Sequence, residues 1–368
     1  MKISEIVVRL AKFPLTKPYR VSYRVYEDFD PIIVVMRDED GRVAWGEGHI
    51  SPGYSHETIE GGWAYALQHA ASMLGKTTDE ARAVLPPEVI AESPCAATAL
   101  LTCIDMLEWH PLLDIPEETR LPLLEPIGAK TVDAVPDEIE ELLGKGFRTL
   151  KLKVGFDVDA DLAKLAAVQK AVAGRAQIRL DANRAFSAED GRRFAANLDP
   201  EGVQLFEQPC DSKDWAANAA VAEVSRVPVM MDESIYGLSD IDRAGRMKGV
   251  GFVKLKLKKF GSMDLLKEGL DRIASNDLTR VLGDGTSTEL NCWLEGCVAR
   301  VAIDNAGEFN GYLKPKARLF ADPLPFDKGD MVLPKGYRPV VDEKVLEAHT
   351  VRSERIAPAK STGFRAAE

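Results

Sequence analysis

The chain has 368 residues, 45% hydrophobic and 29% charged, which suits a soluble globular protein of one large domain with an appendage or of two ordinary domains. Its formal net charge of −11, with no basic cluster, excludes the concentrated positive face that nucleic-acid phosphates require. No apolar run approaches the roughly 18–20 residues of a membrane span, so neither a nucleic acid nor a membrane is expected as partner.

The first segment, "MKISEIVVRLAKFPL", alternates like a strand and lacks the apolar core and cleavage site of a signal peptide, which places the protein in the cytoplasm. A Tyr- and Arg-rich loop, "LTKPYRVSYRVYEDFD" (15–30), precedes two strands and a turn, "IIVVMRDEDGRVAWGEG" (32–48), and helical stretches at 55–74 and 93–109. In the second stretch Ser93 can cap and Pro94 stands in the first turn. This texture predicts an α+β domain.

From about residue 120 a β-rich run, a turn and an Ala- and Leu-rich helical stretch alternate, the pattern of parallel strands with helical crossovers. Strands are predicted at 121–128, 148–154, 176–182, 203–208, 227–234, 251–257, 279–284 and 307–311. Eight such units are the tally of a (β/α)8 barrel. An open doubly wound sheet would share the pattern, although no G-x-G-x-x-G follows the first strand. "DKGDMVLPKGYRPVVDEKVLEAHTV" then returns to short strands and turns that pack on the N-terminal domain, and "APAKSTGFRAAE" is a frayed tail. The predicted organisation is an α+β capping domain (1–120), an α/β barrel (121–320) and a C-terminal segment (321–368) returning to the cap. Cys95, Cys103, Cys210, Cys292 and Cys297 are an odd number without a C-x-x-C pair and read as buried free thiols.

Two strands are written alike. In "RTLKLKVG" Lys151 and Lys153 alternate with apolar residues, and in "FVKLKLKKFG" Lys254, Lys256 and Lys258 do the same, which as strands would set each group of ammonium ions on one face. A barrel strand is covered by helices outside, so these charges need partners inside. The ends of the intervening strands supply them: Asp181 and Asn183, Glu207, then Asp232 and Glu233. Any one of these carboxylates could cap a helix or pair with an arginine. Together they also offer the hard oxygen donors that suit Mg2+.

With "KLK" (151–153), "LDAN" (180–183), "FEQP" (206–209), "MDES" (231–234) and "KLKLKKFG" (254–261) in this order, nearly the whole chain resembles the enolase superfamily, in its muconate lactonizing enzyme subgroup. The resemblance implies that Asp181, Glu207 and Asp232 hold one Mg2+ per subunit, with Mn2+ as a substitute, and that Lys153 and Lys256 are acid/base residues on opposite faces of a small carboxylate substrate. Lys151, Lys254, Asn183, Asp284, Glu308, Tyr19 and Arg24 become substrate-binding candidates. The family often assembles through its barrels, so a homo-oligomer is expected. The chemistry implied is abstraction of the proton α to a carboxylate, in which the metal and Lys151 neutralise the enediolate and crowding plus burial lower the pKa of the base.

His49, His56, His69, His110 and His349 all fall outside the predicted barrel, which excludes a histidine base on a late strand. His49 and His56 flank "ISPGYS" (50–55), in the part of the cap where the family has a specificity loop, and read as solvated loop residues. Tyr19, Arg20, Tyr23 and Arg24 stand in the other such loop. At the far end of the barrel, "LGDGTSTEL" (282–290) and "GEFNG" (307–311) lack the D-x-D of dipeptide epimerases, and Glu308 matches a muconate cycloisomerase glutamate in an otherwise altered segment. The symmetric lysine pair favours racemisation or epimerisation of an amino acid derivative. Lyase chemistry on a hydroxy acid or muconate, and a barrel that only binds a small acid, are the rival expectations.

Overall fold

The alternating N-terminal segment forms β1 (Ile3–Ala11), followed by the hairpin β2 (Phe13–Arg20) and β3 (Val25–Phe29), then β4 (Ile32–Asp38) and β5 (Val43–Gly48). The computed structural model describes residues 1–21 and 24–358; Tyr23 and all but the first two residues of the expected frayed tail lie outside the described residues. β1 runs antiparallel to β4 on one side and to the C-terminal strand Thr350–Ile356 on the other. Helix Pro94–Glu108 crosses β5 at two glycines. A Cβ at Gly46 would stand 2.0 Å from the Ala99 carbonyl oxygen and one at Gly48 1.9 Å from that of Cys95, so this close approach needs glycine. Ser93 does not cap the helix as expected. Its hydroxyl donates to Oε1 of the buried Glu57 at 2.7 Å, and the same oxygen accepts the Cys95 N–H at 3.0 Å and caps in its place.

The second half contributes β6 (Thr119–Pro122), β7 (Leu124–Pro126), β8 (Thr149–Lys153), β9 (Gln177–Asp181), β10 (Val203–Glu207), β11 (Val229–Met231), β12 (Val250–Leu255) and β13 (Thr279–Leu282). β7 to β13 make one parallel sheet in chain order. The predicted eighth strand is reduced to one bridge, Leu123 with Gly307, and backbone hydrogen bonds that close the ring. Leu124 N–H donates to the Gly307 carbonyl at 3.0 Å, and Glu308 N–H donates to that of Leu282 at 2.9 Å. Pairing stops there because Asn310 (φ −94, ψ 8) leads into the 3₁₀ turn Gly311–Leu313. Closure decides for the barrel over the open sheet.

Two predicted strands are divided. β6 leaves the barrel to pair antiparallel with β15 (Asp330–Leu333), which also pairs with β14 (Phe326–Asp327). β12 stops at Leu255, and Leu257–Phe260 is a single helical turn, so Lys258 is not a strand residue after all. The last described strand, β16 (Thr350–Ile356), lies against β1 of the cap. All five cysteines are buried and free. Among the described residues, no helix is long and apolar enough to cross a membrane.

Candidate active site

Residues two apart on a strand face the same side, which builds the barrel interior in tiers. Leu205, Met230, Val281 and the partly buried Phe252 form an apolar plug at mid-barrel. Two residues further along three of these strands stand Glu207, Asp232 and Lys254, so charge replaces the plug at the C-terminal mouth. Lys151, Asp181, Glu207, Asp232 and Lys254 are each at most 3% exposed. Burial at that depth is tolerable only with partners of opposite charge.

The partners are close. Lys151 Nζ lies 3.1 Å from Asp181 Oδ2, 2.8 Å from Glu207 Oε2 and 2.7 Å from Glu308 Oε2. Lys254 Nζ donates to Glu207 Oε1 and lies 3.0 Å from Asp232 Oδ2 and 2.8 Å from Glu308 Oε2. Lys153 Nζ donates to Asp181 Oδ2 at 2.5 Å and to Asn183 Oδ1 at 2.6 Å. Asn183 adopts φ 43, a left-handed conformation that Asn tolerates, and its N–H returns to Asp181 Oδ1 at 2.9 Å. Its amide also donates to Glu233, which thus turns away from the neighbouring Asp232.

An outer tier surrounds the expected Lys256 and Asp284 with cap partners that were not legible in the sequence. Lys256 Nζ lies 2.9 Å from Asp232 Oδ2 and donates to the Tyr54 hydroxyl at 2.8 Å. Lys258 Nζ lies 2.8 Å from Asp284 Oδ2 and donates to Ser51 Oγ at 3.1 Å. Lys259 donates to the Asp232 carbonyl at 2.9 Å. His49 is buried, not solvated: its Nδ1 is 3.3 Å from Thr286 Oγ1, which donates to Asp284, and its Nε2 is 3.1 Å from Asp30. His56 is exposed as expected. The "ISPGYS" stretch offered a signal in Ser51 and Tyr54, two polar side chains in a loop over the mouth.

One cavity of about 20 Å3 joins these groups, lined from the barrel by Lys151, Lys153, Asp181, Asn183, Asp232, Lys254, Lys256, Asp284 and Glu308, and from the cap by Tyr19, Val21 and Tyr54. Glu207 lies buried just beneath. Arg24 does not line the cavity: its guanidinium turns to Asp30 at 3.8 Å and lies 4.5 Å over the Tyr26 ring, which hold it there.

The charges tune one another. Burial alone would lower the Lys254 ammonium, but Asp232, Glu207 and Glu308 outweigh it and hold it well above the usual lysine range. Burial would raise Asp181 and Asp232, yet the surrounding lysines hold both well below the usual carboxylate range. Glu207 goes the other way: burial and the Asp181 charge push it up to about 7 against Lys151 and Lys254. Burial also pushes Lys259 down to about 7.

The donor set is chemically suited to a hard divalent cation, with three carboxylates on successive strand ends. Buried Glu207 Oε2 and Asp232 Oδ2 accept no well-aligned hydrogen bond, although ammonium groups stand within 3.0 Å. As placed, the carboxylates are drawn to those lysines, and among the described residues no three His, Cys, Asp or Glu side chains are arranged to hold a metal.

Residues 134–338 match the family model described as Enolase C-terminal domain-like. An L-Lys-D/L-Arg epimerase from Methylococcus capsulatus is 32% identical over 278 residues, covering 72% of this chain and 77% of that protein. The chain belongs to the enolase superfamily. It is an enzyme of that superfamily, and its relatives are epimerases, racemases and a cycloisomerase. The superfamily fold extends through the cap: an N-succinyl Arg/Lys racemase from Bacillus cereus aligns with a TM-score of 0.88 at 21% identity over 97% of this chain and all of that one. A dipeptide epimerase from Cytophaga hutchinsonii, complexed with Mg and D-Ala-L-Val, aligns with a TM-score of 0.86 at 17% identity over 97% of this chain and all of that one.

Proposed function

We propose that the protein racemises or epimerises an amino acid derivative by removing the proton α to its carboxylate and returning one on the opposite face. One observation carries this reading: Lys153 on β8 and Lys256 just past β12 reach the same cavity with three strands between them. When one lysine takes the α-proton, the C–H pair of electrons passes into the carboxylate as an enediolate. The other lysine then gives a proton back to the same carbon, which inverts it. Lys151, fixed by three carboxylates, adds positive charge beside the developing dianion.

Asp181, Glu207 and Asp232 would hold Mg2+, which supplies further positive charge next to the substrate carboxylate. The Mg-bound epimerase of the same fold and the donor chemistry here support that assignment. The cavity has room for about one water molecule. Substrate entry therefore requires the cap segments bearing Tyr19, Val21 and Tyr54 to move.

The test is exchange in heavy water with Mg2+, read by NMR at the α-position of dipeptides and N-acyl amino acids. Exchange and inversion are expected for at least one class. No exchange across the panel would overturn the reading, and an absorbing conjugated product without exchange would point to lyase chemistry. Binding of a small acid that persists without turnover and is unchanged by Lys256→Ala would point to a binding barrel.

A further inference from the structure

We infer that Tyr54, a cap residue, is the positioning residue for Lys256, so that the cap governs one of the two proton-transfer arms and the barrel alone governs the other. This rests on the proton-transfer reading above.

Tyr54 is buried at the tip of the 50–55 loop. Its hydroxyl accepts from Lys256 Nζ at 2.8 Å and from Lys259 Nζ at 3.2 Å, and donates to Asp232 Oδ1 at 3.0 Å. The ring adds a second restraint, with Lys256 Nζ 4.0 Å from its centroid. A lysine stem is long and flexible, and one contact leaves its end free to swing. A directional bond and a ring face together fix the nitrogen in space. The ring face also attracts the ammonium form, the form Lys256 acquires on taking a proton.

The loop is itself gripped by the barrel at two points just before Tyr54. Lys258 donates to Ser51 Oγ at 3.1 Å, and Arg184 Nη2 donates to the Gly53 carbonyl at 2.8 Å. Lys153 is held differently, by Asp181 and Asn183 of the barrel. An effect on Tyr54 should therefore reach Lys256 and leave Lys153 in place.

This asymmetry has a signature in isotope exchange. In heavy water a neutral lysine carries two deuterons. Once it takes the substrate proton, the three ammonium positions are equivalent and roughly two returns in three deliver a deuteron. One lysine alone thus suffices for exchange with retention, whereas inversion needs both. Tyr54→Phe keeps the ring and removes the hydroxyl. It should slow inversion by about 10–100-fold, the scale of a misplaced catalytic group. For the enantiomer whose α-proton faces Lys153, exchange should persist near the wild-type rate, so the ratio of exchange to inversion rises by the same factor. For its mirror image both should fall together.

The measurement is α-proton exchange and inversion from each enantiomer separately, using the dipeptide or N-acyl amino acid that the wild-type protein turns over. Tyr54→Leu, which also removes the ring, should deepen the same asymmetry, and thermal unfolding of both variants checks that they are folded. Equal losses from both enantiomers with an unchanged ratio in both variants would overturn the inference and leave Tyr54 a loop-packing residue. Unchanged inversion in both would overturn it too. Absence of exchange in the wild-type protein would instead overturn the proton-transfer reading, and this assignment with it.

Discussion

The two lysine strands look alike in sequence and are built differently in space. Lys153 takes both its bonds from neighbouring barrel residues and its side chain is 17% exposed. Lys256 shares Asp232 with Tyr54 of the cap, is 6% exposed and is followed by two further buried lysines. The backbone after each is anchored by a carboxylate from a barrel helix. Asp161, on helix Val158–Val172, accepts from Gly155 and Phe156 N–H at 2.8 and 3.0 Å, and Glu295, on helix Glu289–Ala302, accepts from Leu257 N–H at 2.9 Å. The same local pattern therefore yields one arm that belongs to the barrel and one that the barrel shares with the cap.

Removing an arm outright breaks the comparison hardest. Lys153→Ala and Lys256→Ala should each reduce inversion by about 10²–10⁴-fold, the range of a lost general acid/base. Each should leave exchange with retention for one enantiomer, and opposite ones in the two variants. The same surviving enantiomer in both would mean that the lysines do not face each other across the substrate.

The extra cations of the second arm give the next effect. Lys258 and Asp284 are buried together, 2.8 Å apart. Lys258→Met leaves the Asp284 carboxylate with Thr286 and the more distant Lys256, and breaking a buried pair costs about 3–5 kcal/mol. Urea unfolding should register that loss, and adding Asp284→Asn should restore most of it. If the double variant is as unstable as the single, the pair is not what Lys258 contributes.

Lys258 also marks where reading the sequence stops. Alternation placed the β8 and β12 lysines and the strand-end carboxylates correctly, because period-two patterning is a local property of a strand. It then carried the period through Lys258, past Leu255 where the strand ends, since an apolar–lysine alternation cannot mark where a helical turn begins. Glu308 was placed, but as part of a full strand that proves to be one bridge and a flanking backbone hydrogen bond. Tyr54, Ser51 and His49 were missed as parts of the mouth because their roles depend on how the cap docks, a contact between segments some 200 residues apart in sequence. Arg24 failed for the same reason in reverse.

Glu207 lies between the arms and should weaken both alike. Glu207→Gln keeps the shape and removes a charge, and is expected to weaken Mg2+ binding and slow exchange from both enantiomers by on the order of 100-fold, as losing an electrostatic stabiliser does. Calorimetry with Mg2+ together with the exchange assay checks this. An effect confined to one enantiomer would assign Glu207 to a single lysine.

The smallest effect lies beneath the second arm. Burial, with the Asp284 charge, pushes Glu295 up to about 8, well above the ordinary carboxyl value of 4.5. A raised carboxyl binds its proton more tightly in the fold than in the unfolded chain. Its stabilising contribution is therefore complete below about pH 4.5 and is lost as pH rises through about 8. Glu295→Gln carries no such dependence. The variant should match the wild-type protein near pH 5 and exceed it by about 1–3 kcal/mol at pH 9, in urea unfolding of the metal-free proteins. Because Glu295 accepts from Leu257, next to Lys256, its ionisation bears on the cap-linked arm, whereas Asp161 supports the other. If Glu295→Gln leaves the slope of stability between pH 5 and 9 unchanged, the buried carboxyl is not the group that titrates there.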